Sequence, residues 1–332
     1  MVTTDELRNE IGSLPAPDVA ARTAATDRVN DILRPAGATT RLDSLAIWLA
    51  GWQATASPTV EQPAALIFAG DHGVVAEGVS AYPAEVTQSM LAAFKAEKAS
   101  VSALARVAGA TVSAIDVGVG EPTGNLRVEP AMSAERFAHC FSVGRAAVSE
   151  AETDLLIVGE MGIGNTTAAA AVSAALVGGD VSPYVGRGTG VGDDALSNKA
   201  QVVTDALRRI DAEADPLEVL RQVGGTELVA IAGAIYEART QSLPVLLDGY
   251  ISTAPALALH AVDPTLIEHC QAAHCSAEPG HQLVLDHLGL QPLLTLDLRL
   301  GEASGAMAAV PLVRMACALV NEVPTFTEWF SD

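Results

Sequence analysis

The chain has 332 residues, 49% of them apolar and only 4% aromatic, enough to bury a substantial core in one large domain. Its formal charge of −21, with 19 Lys and Arg against 40 Asp and Glu, repels phosphate backbones and anionic lipid, so neither nucleic acid nor a membrane is expected as a partner. The start, MVTTDELRNEIG, lacks the basic patch and apolar stretch of a secretory signal, and the apolar runs break before the roughly 18 to 20 residues of a bilayer span, so the expected compartment is the cytoplasm. Four Cys, at 140, 270, 275 and 317, are too sparse for a disulfide framework, and none is expected to be bridged.

In chain order, two helical patterns come first, roughly 15–33 and 41–54, separated by RPAGATT from Arg34. Short β-rich runs follow with Ala-rich stretches between them: ALIFAG (65–70), TVSAIDVGV (111–119), LLIVGE (155–160), PVLLDGYIS (244–252) and PLLTLDL (292–298). That alternation predicts an α/β fold, a Rossmann-like parallel sheet flanked by helices, and continuously apolar runs predict strands covered on both faces. After Gly305 the apolar stretch MAAVPLVRMACALVNEV predicts a last helix ending before Pro324. The two ends are expected to pack as a small helical lobe, residues 1–40 with 305–332, beside an α/β catalytic domain spanning 41–304. Asp71, Asp116, Glu160, Asp248 and Asp297 fall at or near strand ends, the edge where open α/β sheets bind ligands.

The segment LLIVGEMGIGNTTAAAAVSAAL (155–176) runs from strand through a Gly-rich turn into a helix beginning at Asn165. Free N–H groups and the helix dipole favour an anion there, and Gly162 and Gly164 let it approach the backbone. The plainer alternative is a tight turn that lets helix pack on strand. A second Gly-rich stretch, YVGRGTGVGDD (184–194), precedes Lys199, the only Lys between 99 and 332, with Arg187 as the other available cation. Together they read as a phosphate cradle, or else as a surface loop with a solvated Lys.

AGDHGVVAEGVSAYPAEVTQ (69–88) offers Asp71 and His72 after a strand, an acid/base pair without a second His at metal-ligand spacing, and Tyr82 and Gln88 as a flat wall and hydrogen bond for a planar ring. HCQAAHC (269–275) has a zinc-like composition but the wrong spacing, and reads as a helix end with incidental thiols, so no metal is expected. In LTLDLRLGEASGA (294–306), Glu302 sits between strand and helix among small residues, either a general base or an acid satisfying helix N–H groups.

Seven stretches taken in order, FAGDHGVVAEGVSAYPAEVTQ (68–88), DVGV (116–119), GEMGIGNTTAAAA (159–171), GRGTG (186–190), PVLLDGYISTA (244–254), SAEPGH (276–281) and LRLGEASGA (298–306), resemble the nicotinate-nucleotide:dimethylbenzimidazole phosphoribosyltransferase family. The resemblance implies a Rossmann-like core with a helical lobe from both termini, a homodimer, and no metal or organic cofactor. It implies transfer of the phosphoribosyl group of nicotinate mononucleotide to an aromatic base in cobalamin lower-ligand synthesis. Glu302 then looks like the catalytic base and Glu160 like the second acid of the site. Gly162, Gly164, Asn165, Gly188, Thr189, Gly190 and Lys199 fall where the nucleotide phosphate is held, and Tyr82 and Gln88 in the acceptor-base pocket. The chain departs from the pattern at RPAGATTRLD (34–43) and at Ala303, where Gly is usual. Two other readings use the same loops: a nucleotide-binding regulatory protein without turnover, and a relative accepting a phenol or purine.

Overall fold

The computed structural model describes residues 3–188 and 190–331. Its centre is a five-stranded, wholly parallel sheet of β1 (Pro63–Ala69), β2 (Thr111–Asp116), β3 (Leu155–Met161), β4 (Val245–Leu247) and β5 (Cys270–Ala272), in the order β2-β1-β3-β4-β5. Every side chain of β1, and all of β3 except Met161, is buried, which is why these two segments read as unbroken apolar runs.

Alternate strand residues feed two cores. Leu66, Phe68, Leu156, Val158, Val245 and Leu247 pack under helices that include Ala134–Ser149, Asn165–Val177, Thr226–Thr240 and Tyr250–Val262. Ala65, Ile67, Leu155, Ile157 and Leu246 face the other way, onto helices Thr40–Gln53, Ser100–Ala108 and Ser304–Glu322. The two ends of the chain meet in this second layer: Leu33 N–H donates to the Pro324 carbonyl at 2.9 Å, and Ile32 bridges Thr325. Ile32 and Val320 belong to the same apolar core as the strands.

Three expectations need correction. The fifth strand of the sheet is Cys270–Ala272, within the segment expected to be a helix end; of 292–298 only Leu294–Thr295 (β7) is a strand, and it pairs with His274–Cys275 (β6) in a separate two-stranded sheet. β2 lies at the sheet edge with its residues exposed or half-buried, so it is not covered on both faces. The long C-terminal helix, Ser304–Glu322, is followed by the short helix Phe326–Phe330; it has 19 residues and a mean hydropathy of 1.4 over its most apolar window, long and apolar enough to cross a bilayer on those criteria alone. It packs instead on helices Thr40–Gln53 and Ser100–Ala108, and its Arg314 donates to the Val60 carbonyl at 2.9 Å.

The strand order places the functional edge. The chain runs from β1 outward to β2 and then returns to lay β3 on the other side of β1, so the loops leaving β1 and β3 diverge. A crevice opens at such a reversal, outside the carboxyl ends of the strands.

Candidate active site

A cleft opens at the carboxyl ends of β3 and β4. Glu160, Gly162, Asn165 and Gly188 all line it, and Gly301 closes one side. β3 delivers Glu160, and the chain turns through Gly162-Ile163-Gly164 into helix Asn165–Val177. Gly164 caps that helix at φ +94°, a left-handed backbone costly for any residue with a Cβ. Asn165 N–H donates to Gly162 O at 3.1 Å, and Ile163 N–H to Thr87 Oγ1 at 3.2 Å, so the turn is pinned at both ends.

Lys199 enters from helix Asp193–Leu207, fully buried, and its ammonium donates to Thr166 Oγ1 at 2.6 Å and to Gly186 O at 3.2 Å. It is therefore not a solvated surface Lys; it ties the two Gly-rich loops together. Burial lowers its pKa to about 8, with Glu278 acting in the opposite sense. Arg187 does not replace it, being paired with Asp193 and donating to the Val191 carbonyl at 2.9 Å. Gly190 is exposed and outside the lining, and Thr189 lies outside the described residues.

Glu302 projects from a run of three left-handed residues, Gly301 (φ +76°), Glu302 (+60°) and Ala303 (+66°), that leads into helix Ser304–Glu322. The residue is only 5% exposed; its carboxyl group accepts the N–H of Val101 and leaves Oε2 without a partner. Burial raises its pKa to about 6. Glu160 lies directly against Gly301, and burial, followed by the charges of Asp248 and Glu227, raises it to about 8, while the side-chain N–H of Asn165 that it accepts pulls the other way. At neutral pH Glu160 holds its proton and Glu302 is largely ionised. Two neighbouring carboxyls with separated pKa values are the arrangement that divides acid from base.

Several groups of the site were not selected from sequence. Asp248, at the end of β4, accepts the N–H of Ala306 at 2.8 Å, and its own pKa is pushed up to about 7 by burial. His274, 3.6 Å from it and lining the cleft, is held neutral, burial depressing its pKa to about 4. Glu278 lines the cleft near Lys199 and accepts the Gly188 N–H. Asp248 stood out as an acid at a strand end and Glu278 lay in SAEPGH, but His274 was hidden by the helical reading of its segment.

The Asp71-His72 signal resolves into a different pair: His72 Nε2 is 2.6 Å from Glu227 Oε1, both side chains fully buried. His269, at the head of the zinc-like segment, spends its Nε2–H on the Ile235 carbonyl at 3.0 Å, and all four Cys are free and buried. Tyr82 is half exposed, Gln88 is exposed, and neither lines the cleft; Thr87, beside Gln88, is the residue of that stretch that reaches the turn.

A phosphoribosyltransferase family model matches residues 14–329. The chain is 48% identical over 317 residues, 95% of its length and 94% of the relative's, to the nicotinate-nucleotide–dimethylbenzimidazole phosphoribosyltransferase of Cereibacter sphaeroides strain ATCC 17025, and 46% identical over 323 residues to that of Ruegeria pomeroyi, with 97% and 96% covered. It belongs to the nicotinate-nucleotide:dimethylbenzimidazole phosphoribosyltransferase family. The crystal structure of CobT from Thermus thermophilus superposes with a TM-score of 0.90 at 43% identity, covering 93% of this chain and 98% of that one. Every element lining the cleft falls inside the family match. Within this phosphoribosyltransferase, Ala303 holds a left-handed position, a backbone that glycine takes freely.

Proposed function

We propose that the chain transfers the 5-phosphoribosyl group of nicotinate mononucleotide to 5,6-dimethylbenzimidazole, giving α-ribazole 5′-phosphate and nicotinate, with Glu302 as general base. The observation that carries this reading is the pair Glu160 and Glu302, with pKa values of about 8 and about 6, beside the Gly162–Asn165 turn in a chain of this family. Nicotinate leaves C1′ as its ring nitrogen loses the pyridinium charge, so the leaving group needs little acid assistance. The acceptor's unprotonated nitrogen attacks C1′ while the ionised Glu302 accepts the proton from the other ring nitrogen. Attack opposite the leaving group inverts the β-nucleotide to the α-product. Glu160, protonated, offers an O–H donor beside the reacting centre without adding a second negative charge.

In this reading the phosphate lies against the Gly162–Asn165 turn at the helix N-terminus and on the Gly188–Gly190 loop, with Lys199 as its cation. A buried cation and a helix N-terminus supply a local positive field that the net charge of −21 opposes elsewhere on the molecule. The acceptor role of Tyr82 and Gln88 requires the 80–88 segment to move inward, because neither side chain lines the cleft. A homodimer, as the resemblance implies, and a cytoplasmic location, as the N-terminal sequence suggests, complete the proposal.

Chromatographic assay of wild type and Glu302→Gln with nicotinate mononucleotide and a panel of benzimidazoles, phenols and purines tests it. Wild type is expected to form α-ribazole 5′-phosphate with an activity that rises through pH about 6 as Glu302 ionises. Glu302→Gln is expected to lower kcat by about a hundredfold or more and to remove that rising limb. Absence of product with every acceptor moves the chain to the non-catalytic, nucleotide-binding reading.

A further inference from the structure

The buried pair His72–Glu227 lies outside the cleft lining and takes no part in the chemistry above. Its position is specific. His72 follows β1, Glu227 stands in the first turn of helix Thr226–Thr240, and the two meet behind the turn that follows β3. A Cβ on Gly162 would stand 3.1 Å from both Glu227 Oε1 and His72 Nε2, and one on Gly164 would stand 3.6 Å from His72 Cβ. On the far side from the cleft, a Cβ on Gly225 would overlap His72 Cε1 and come within 2.6 Å of Glu227 Oε2. The pair is thus a pillar held between Gly225 and Gly162.

His72 Nδ1 and Glu227 Oε2 have no other partner, so the two side chains are held by each other. Packing alone does not call for this chemistry, since apolar side chains of equal volume often fill such a space at least as stably as a buried polar pair. What the pair supplies is a fixed, short, directional contact between β1 and the Thr226 helix at the one place where the Gly162 backbone rests on it. The turn is held by Thr87 from one side and this pair from behind.

We infer that His72 and Glu227 are positioning residues for phosphate binding: the pair fixes the backbone of Gly162–Asn165, and with it the affinity for the 5′-phosphate, without touching substrate. The inference rests on the placement of the phosphate proposed above. Displacing the pillar then weakens nucleotide binding and leaves the acceptor and the bond-making step nearly untouched.

The test compares His72→Gln/Glu227→Gln, which replaces the imidazole and the carboxyl together, with Gly225→Ala, which presses on the pair from a position that belongs neither to the cleft lining nor to the Gly162–Asn165 turn. The full-length enzyme is assayed for kcat, for the KM of each substrate, and for competitive inhibition by ribose 5-phosphate, with melting temperature recorded. Both variants are expected to raise the KM for nicotinate mononucleotide and the Ki of ribose 5-phosphate together, by about tenfold, with kcat and the KM for dimethylbenzimidazole within about twofold of wild type. An unchanged Ki, an equal rise in both KM values, or loss of the folded state in both variants overturns the inference, because the pair would then be a general structural bond. Lys199→Ala separates the two levels. If it raises the Ki and the pair variants do not, only the positioning role falls; if it leaves the Ki unchanged, the phosphate placement itself is wrong.

Discussion

Glu302 stands beside the cleft, next to the Gly301 that lines it, on a backbone that neither strand nor helix provides. Two non-glycine residues in succession, Glu302 and Ala303, are left-handed, a conformation costing on the order of 1 kcal/mol or more for each. Such a turn persists because its surroundings over-determine it. Asp248 accepts the N–H of Ala306 at 2.8 Å, the backbones of Gly305 and Ala303 also favour its charged form, and the Val101 backbone does the same for the Glu302 carboxyl. The remaining support is steric, because Gly159 of β3 lies flat against Ala303. A Cβ on Gly159 would stand 2.7 Å from both Ala303 Cβ and Ala303 N, so Gly159→Ala must displace the turn. A strand tolerates Ala at that position, and the effect is therefore expected on Glu302: kcat falls by about tenfold or more, since small misplacements of a catalytic group are costly, while the Ki of ribose 5-phosphate holds. Steady-state kinetics on the variant decide it, and an unaltered kcat would show that the turn does not need the empty space beside Gly159.

Parallel strands bring their carboxyl ends to one edge, and here that edge gathers acids: Glu160 from β3, Asp248 just past β4, Glu302 from the turn before helix Ser304–Glu322, and Glu227 near them. Glu160 has a folded pKa of about 8 against an ordinary 4.5, so the native state holds its proton more tightly than the unfolded chain. Its stabilising contribution is full below pH 4.5 and is lost as pH rises through about 8; Asp248 follows the same sign between 3.8 and about 7. The wild-type melting temperature should therefore fall between pH 5 and pH 8.5. Glu160→Gln should match wild type at pH 5 and melt a few degrees above it at pH 8.5. Parallel melting curves for the two proteins across that range would remove Glu160 as the source. The same edge shows what a sequence can disclose. β1 and β3 were legible because burial on both faces demands an unbroken apolar run, and the turn after β3 because its glycines and Asn165 are all needed locally. β5 was not, being three residues flanked by His269 and His274 in a composition that mimics a metal site. The partner of His72 lies 155 positions away, and no local pattern announces such a contact. Glu302 was found by position, but its left-handed backbone was not, since Glu and Ala give no sign of one.

Over the whole molecule, helix Ser304–Glu322 joins the candidate site to the chain ends. Its N-terminus follows Glu302, and its C-terminal carbonyls, which have no partners within the helix, are met by Arg28 from the opposite end of the sequence. Arg28 donates to Val320 O at 2.5 Å and to Val323 O at 3.1 Å, and pairs with Glu328 at 2.7 Å. The Glu328 pair is half exposed and contributes little, so most of the effect lies in the two carbonyl contacts, roughly 1–3 kcal/mol together. Arg28→Ala is expected to lower the melting temperature by about 1–4 °C, at about 1.4 °C per kcal/mol for an unfolding entropy of about 2.1 cal/mol/K per residue over this chain. It should leave kcat unchanged, because Asp248 and Val101 hold the Glu302 turn independently of the helix's far end. Calorimetry of the same variant also tests how the molecule is divided. Ile32 and Val320 share a core with β1, β3 and β4, which favours one cooperative transition. Two resolved transitions, only the lower of them moved by Arg28→Ala, would instead make residues 1–40 with 305–332 a unit of their own, and a parallel loss of kcat would show that the clasp at the chain ends reaches Glu302 through the helix.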